Sequence, residues 1–133
     1  MSLKAFLNPV QPQNEKVVVS KRFVEDGKPV PWEVRPILQD ENDKLMKRYT
    51  KKDKKTNTES FDRQGYITEL TASAVVFPDL KNAELQKAYG VLGEVELLKK
   101  MLLVGEFATL TQKVQTLSGL DEDINDLVEE AKN

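Results

Sequence analysis

Between Pro78 and Gly119, in the run PDLKNAELQKAYGVLGEVELLKKMLLVGEFATLTQKVQTLSG, no apolar stretch grows far before a glycine or proline interrupts it. A cluster of short helices satisfies that punctuation. Asn82 is placed to cap a helix through Leu85, Ala88 and Tyr89, and Gly90 stands where a left-handed terminal residue is wanted. Gly93 precedes Glu94 and Glu96, acids in the first turn of a helix carrying Leu97, Leu98, Met101 and Leu102. Gly105 is expected to end that helix. Phe107, Leu110, Val114 and Leu117 make the next stripe, closed by Gly119, and Asp121 opens a last helix through Ile124, Leu127, Val128 and Ala131.

The glycines therefore fall at seams of the apolar pattern. A phosphate-binding loop needs them between a strand and a helix, and neither a dinucleotide fingerprint nor a P-loop is present. Gly90-Val91-Leu92-Gly93 has the bare spacing of a KH-domain loop, but its middle residues are apolar where a phosphate backbone favours basic or polar ones.

Ahead of the helices the periodicity differs. Residues 1–15 hold Pro9 and Pro12 with Phe6, Leu7 and Val10, and read as an extended arm with a few apolar anchors. A β-hairpin is expected over 16–36: Val17, Val18 and Val19 are β-branched, Phe23 closes the run, and Asp26-Gly27 supplies a turn. On the return, Val30, Trp32 and Val34 alternate with Pro31, Glu33 and Arg35, and Pro31 argues for an edge strand. A short helix follows over 39–50, with Asp40 as N-cap and Leu45, Met46 and Tyr49 at helical spacing. Residues 51–60 lack apolar side chains and read as a basic, mobile loop. A helix capped by Asp62 then carries Tyr66, Ile67, Leu70, Ala74 and Phe77 up to Pro78, with Thr68, Thr71 and Ser73 on a small polar face. The expected fold is α+β, mainly α: an arm and N-terminal β-hairpin followed by a helical part over 61–133, all in one domain.

Composition removes several kinds of chemistry. The 133 residues contain no cysteine and no histidine. Zinc sites built from those residues, cysteine and Ser-His nucleophiles, and histidine acid-base catalysis are excluded. No window approaches the ~18 apolar residues that span a bilayer, and MSLKAFLNPVQPQNEK lacks the layout of a secretory signal. Catalysis would have to rest on Asp, Glu, Lys or Tyr, and a magnesium site from carboxylates stays open, but 22 acidic residues in a small chain make chance pairs common. The expectation is a cytoplasmic protein that is not an enzyme, with no cofactor, metal or membrane contact.

Charge is distributed unevenly. From Lys44 to Lys55 the chain carries Lys44, Lys47, Arg48, Lys51, Lys52, Lys54 and Lys55 against Asp53 alone, so a segment of net +6 sits in a chain of net -2. From Asp121 to Asn133 six acids face one lysine, for a net of -5. The basic run fits a solvated loop, a contact for an acidic protein surface, or a nucleic-acid patch, although it lacks the flanking aromatics of the usual nucleic-acid footprint. The asymmetry also allows the basic run of one copy to meet the acidic end of the next.

MSLKAFLNPV, KRF followed by GKPVPWEVRPI, and VFPDLKNAELQKAYGV with ELLKKMLLVGEF and LSGL resemble the phage tail assembly chaperones of the XkdN type, found in prophages and defective phages such as PBSX. The resemblance covers nearly the whole chain. Its most specific part is Pro78-Asp79-Leu80, Leu85, Tyr89-Gly90, Leu97-Leu98 and Gly105-Glu106-Phe107. It implies a non-structural protein, absent from the mature tail, that works in the bacterial cytoplasm, binds the helical tape measure protein and helps recruit tail tube subunits. Members are often made in a short form and a frameshifted longer one. A partner for amphipathic helices needs exposed apolar positions, and the candidates here are Phe6 and Leu7 of the arm with Leu117, Leu120, Ile124, Leu127 and Val128. Completing the core is the alternative role for that last stripe. A homo-oligomer is expected; a nucleic-acid accessory protein using Lys44 to Lys55 is the alternative from another class.

Overall fold

The computed structural model describes residues 2–120. In chain order its elements are α1 (Lys4–Leu7), β1 (Glu15–Val17), β2 (Val24–Glu25), β3 (Lys28–Pro29), β4 (Trp32–Val34), α2 (Gln39–Arg48), β5 (Thr50–Asp53), β6 (Thr58–Phe61), α3 (Arg63–Ala74), β7 (Val75–Phe77), α4 (Ala83–Ala88), α5 (Glu94–Met101) and α6 (Val104–Leu117). The fold is mixed α+β: the three-stranded sheet β1-β4-β7 shares a core with the helices, and β2–β3 and β5–β6 are largely exposed two-stranded ribbons.

The hairpin expected over 16–36 is divided. Asp26 (φ 53°) and Gly27 (φ 78°) both lie in the left-handed region, the geometry of a tight two-residue turn, and they join only the short ribbon β2–β3. β1 and β4 pair with each other outside that ribbon, Glu15 opposite Val34 and Val17 opposite Trp32. β4 is central rather than an edge strand, because β7 pairs along its other side in the order β1-β4-β7. Pro31 does not obstruct this, since it precedes the strand and owes the ladder no N–H. The alternation read from sequence holds: Trp32 and Val34 are buried and Glu33 is partly exposed.

β7 corrects the long helix expected up to Phe77. Asp62 caps α3 as anticipated, its Oδ1 accepting from the Gly65 N–H at 3.0 Å, but the helix stops at Ala74. Val75, Val76 and Phe77 are β-branched or aromatic, and Phe77 precedes a proline, which biases it to extended backbone. Pairing with β4 captures them. The small polar face of α3 is also not a solvent face. Thr68 and Thr71 are buried with Leu70, Ala72 and Ala74. Each threonine hydroxyl donates to the carbonyl four residues back, at 2.9 Å for Thr68 to Gln64 and 2.8 Å for Thr71 to Ile67. Thr71 also meets Thr111 of α6 at 3.0 Å, so small hydroxyls satisfied within the helix let α6 approach closely.

The main core joins Val19, Trp32, Val34, Ala72, Ala74, Leu80, Leu97, Leu98, Met101, Leu110 and Val114, with the Phe23 ring 5.8 Å from that of Trp32 and tilted 52° to it. The helix ends partly follow the punctuation. Asn82 accepts from the Leu85 N–H at 2.9 Å. At Gly90 and Gly119, paired bonds close the helices: Gly90 N–H to Lys87 and Val91 N–H to Gln86, then Gly119 N–H to Thr116 and Leu120 N–H to Gln115. Gly93 precedes α5 with φ 97°. Gly105 is different: α5 has already ended at Met101, and Gly105 lies in the first turn of α6.

Two arginine-glutamate pairs fasten helix starts to the strand region. Arg22 donates to Glu106 at 2.5 and 3.0 Å and to the Met101 carbonyl at 2.8 Å. Arg35 grips Glu41 at 2.9 and 2.8 Å. In both cases the glutamate stands in the first turn of a helix whose N-cap is a leucine, Leu103 or Leu38. This moves the start of α2 ahead of the expected Asp40, which lies in its first turn.

Candidate partner-binding surfaces

Where α5 turns into α6 the chain leaves an apolar groove of about 550 Å³ between α3, α5 and α6. Leu98 forms its fully buried floor, while Leu103 and Val104 stand on its rim 60% and 90% exposed. Val95, Leu102 and Phe107 line the wall, with Gln64, Gly65 and Thr68 of α3 opposite. Local chemistry explains why apolar side chains stay outside. Leu103 is the residue before α6 and its N–H donates to Glu106 Oε1 at 2.8 Å. That bond, and the Arg22 bridge to the same carboxylate, fix the turn with Leu103 and Val104 facing outward.

The Glu106 carboxyl is held at a pKa of about 2, first by the Arg22 hydrogen bonds, then by Ser20 and the Leu103 N–H. It remains charged throughout the physiological range. Phe107 and Leu102 pack partly buried against the main core, as their place in the apolar stripes implies, and they line the groove as well, which the stripes alone do not reveal. The available signal was the apolar triplet Leu102-Leu103-Val104, too continuous for one helical face beside a glycine.

Among the described residues, the sequence-derived candidates Phe6, Leu7, Leu117 and Leu120 lie on separate parts of the chain. Phe6 and Leu7 project from α1 with exposures of 81% and 72%. The arm is therefore not wholly extended, because its first residues form a single helical turn before the proline-containing stretch. Leu117 packs partly buried against the main core. Leu120 is exposed and borders a cleft of about 260 Å³ with Ile37, Leu38, Asn42 and Leu70. Ile124, Leu127 and Val128, and the helix expected from Asp121, lie outside the described residues.

The basic run is not a loop. β5 and β6 pair as a hairpin from Thr50 opposite Phe61 to Asp53 opposite Thr58. Its turn is closed by the Asn57 N–H to the Asp53 carbonyl and the Lys55 N–H to Asp53 Oδ1, with Asn57 at φ 57°. Asparagine tolerates that conformation, and this is why the turn forms without apolar help. The hairpin root is anchored: Phe61 packs 5.4 Å from Tyr66, whose hydroxyl bonds Asn42, and the Asp62 N–H reaches the Tyr49 carbonyl. Arg48 bridges to Glu69 at 2.5 Å. Lys44 and Lys47 on α2, Lys51 and Lys52 on β5, and Lys54 and Lys55 in the turn are all exposed.

Among the described residues no group of three or more acidic side chains is placed to hold a metal ion, and no helix is long and apolar enough to cross a membrane.

Comparison with known proteins gives a consistent result. The family described as phage XkdN-like tail assembly chaperone protein matches residues 3–132. The Bacillus subtilis (strain 168) protein described as phage-like element PBSX protein XkdN is 33% identical over 129 residues, covering 93% of this chain and 87% of that one. A second protein of the same strain, YqbN, described as uncharacterized, is 32% identical with the same coverage. The crystal structure of a protein named YqbN superposes with a TM-score of 0.74 at 28% identity, covering 90% of this chain and 95% of that one.

Proposed function

The chain belongs to the XkdN-like phage tail assembly chaperone family, and from that premise we propose that its groove between α3, α5 and α6 holds an amphipathic helix of the tape measure protein during tail assembly in the host cytoplasm. The observation that carries this reading is the pairing of a buried floor at Leu98 with exposed Leu103 and Val104 on the rim. Apolar side chains held out of the core by helix-start hydrogen bonds are a standing receptor for an apolar helix face. Covering the apolar face of such a helix prevents it from associating with others of its kind.

The arm, through Phe6 and Leu7, and the last stripe, through Leu120, Ile124, Leu127 and Val128, supply further contacts to partner helices, to tail tube subunits or to second copies of the chain. Family membership lends no support to the nucleic-acid reading of Lys44 to Lys55, which is set aside.

Co-expression with the tape measure protein tests the reading. Leu103→Asp with Val104→Asp should leave the fold near its original stability, since exposed substitutions typically cost under about 0.5 kcal/mol. Losing the burial of two such side chains should weaken binding by about 3 kcal/mol, on the order of 100-fold. Undiminished co-purification by the double variant would refute the groove as the binding site.

A further inference from the structure

The described chain ends at a fixed point. The Ile37 N–H donates to Ser118 Oγ at 3.0 Å, and Leu120 lies in the cleft with Leu38 and Asn42, at the start of α2. α2 then leads away to the basic hairpin. Its ten residues span about 15 Å, while the 13 residues that follow Leu120 reach about 20 Å as a helix and about 43 Å extended. In either form the segment is long enough to run the length of α2 and reach β5.

The surface along that route has the complementary chemistry. Leu38, Met46 and Leu120 are exposed apolar residues. Beyond them stand Lys47, Lys51, Lys52, Lys54 and Lys55, none of which joins an ion pair among the described residues. Glu59 opposite Lys52 and Asp53 at the end of β5 are the carboxylates of the hairpin itself. Every residue of β5 and β6 except Thr50 is exposed, so beyond the root, where Phe61 meets Tyr66, this ribbon is uncovered, and a two-stranded ribbon alone is of marginal stability. The sequence after Leu120 carries Ile124, Leu127 and Val128 together with six acids and one lysine.

We propose that residues 121–133 dock on their own chain, with Ile124, Leu127 and Val128 over Leu38 and Met46 and the carboxylates of the far half beside the lysines of the β5–β6 hairpin. Asp40 and Asp43 of α2 repel the first acids after Leu120, so the start is held by the covalent link and the Ser118 anchor, and attraction acts at the far end. Each exposed ion pair is weak, but tethering beside the target raises the effective concentration to the millimolar range and favours the chain's own surface over a second copy. A partner helix that uses Ile124, Leu127 and Val128 must first displace this contact. The inference rests on this chain's residues alone and holds whichever helix the groove accepts.

Carbodiimide coupling of the full chain, in an equal mixture of ordinary and 15N-labelled protein, tests it without any mutation. The expected result is single-label cross-links between the carboxylates from Asp126 to Glu130 and Lys47 to Lys55, falling severalfold at about 1 M salt, where the screening length is about 3 Å. The Glu15–Lys113 pair provides the internal positive control. Mixed-label links would assign the segment to a second copy and overturn the proposal. Absence of these links while Glu15–Lys113 couples would also overturn it, as would links that do not respond to salt.

Discussion

Gly65→Ala separates the observed packing at the start of α3 from helix propensity alone. Gly65 is a helical residue, and alanine in its place contributes at most about 1 kcal/mol of helix stability. A Cβ there would lie 2.6 and 2.8 Å from ring atoms of Tyr49 and 2.5 Å from Asp62 Oδ2. The Tyr49 backbone is fixed by bonds to Leu45 and Asp62, so the ring must swing away from α3. Overpacking of this kind costs about 1–3 kcal/mol, and displacing Asp62 endangers a cap worth about 1 kcal/mol. The net expectation is destabilisation by about 1–3 kcal/mol, which for a chain of this size lowers Tm by roughly 4–12 °C. Thermal and urea unfolding followed by circular dichroism measure it. In a Tyr49→Ala background the cost of Gly65→Ala should shrink, because the clashing ring is gone. A Gly65→Ala protein as stable as the parent, or more stable, would refute the packing of the hairpin root against α3.

Three further outcomes follow. Neutralising Lys51, Lys52, Lys54 and Lys55 together should leave the fold of the described residues within about 0.5 kcal/mol per site of the parent; a loss of several kcal/mol in urea unfolding would show that the hairpin lysines are structurally engaged. Glu106 has a folded pKa below its unfolded value of about 4.5, so its contribution is fully present above the unfolded pKa and is lost as pH falls toward about 2. Carboxyl-carbon NMR should find Glu106 titrating near 2, and Arg22→Ala should raise that value; an ordinary carboxylate midpoint in the parent would contradict the Arg22 bridge. Ile124→Asp with Leu127→Asp should reduce partner binding or self-association in sedimentation while the described fold persists, and an unfolded product would make the stripe part of the core.

Much of the helical half was legible because caps are local. Asp62 and Asn82 place a side-chain oxygen beside the first free N–H groups, while Gly90 and Gly119 meet a left-handed requirement that few other residues satisfy. Gly105 misled because a glycine in a first helical turn carries no positive φ and leaves no local mark of its role. β7 was hidden since Val75 and Phe77 continue the apolar sequence of α3, and only pairing with β4, which lies far away in the chain, decides between helix and strand. The β5–β6 hairpin was hidden for the opposite reason: its residues have no apolar alternation, and the turn rests on Asp53 and Asn57. The groove is marked in the sequence only by the continuous triplet Leu102-Leu103-Val104, because it arises where the α5 and α6 stripes diverge around Leu102 and Leu103.

The most direct test of the central claim is an NMR map of the 15N-labelled chain titrated with amphipathic segments of its tape measure protein. The account predicts amide shifts concentrated on Val95, Leu98, Leu102 to Val104 and Phe107, with Gly65 and Thr68 across the groove responding and the β2–β3 ribbon silent. Saturable binding whose shifts leave those residues unchanged would contradict it.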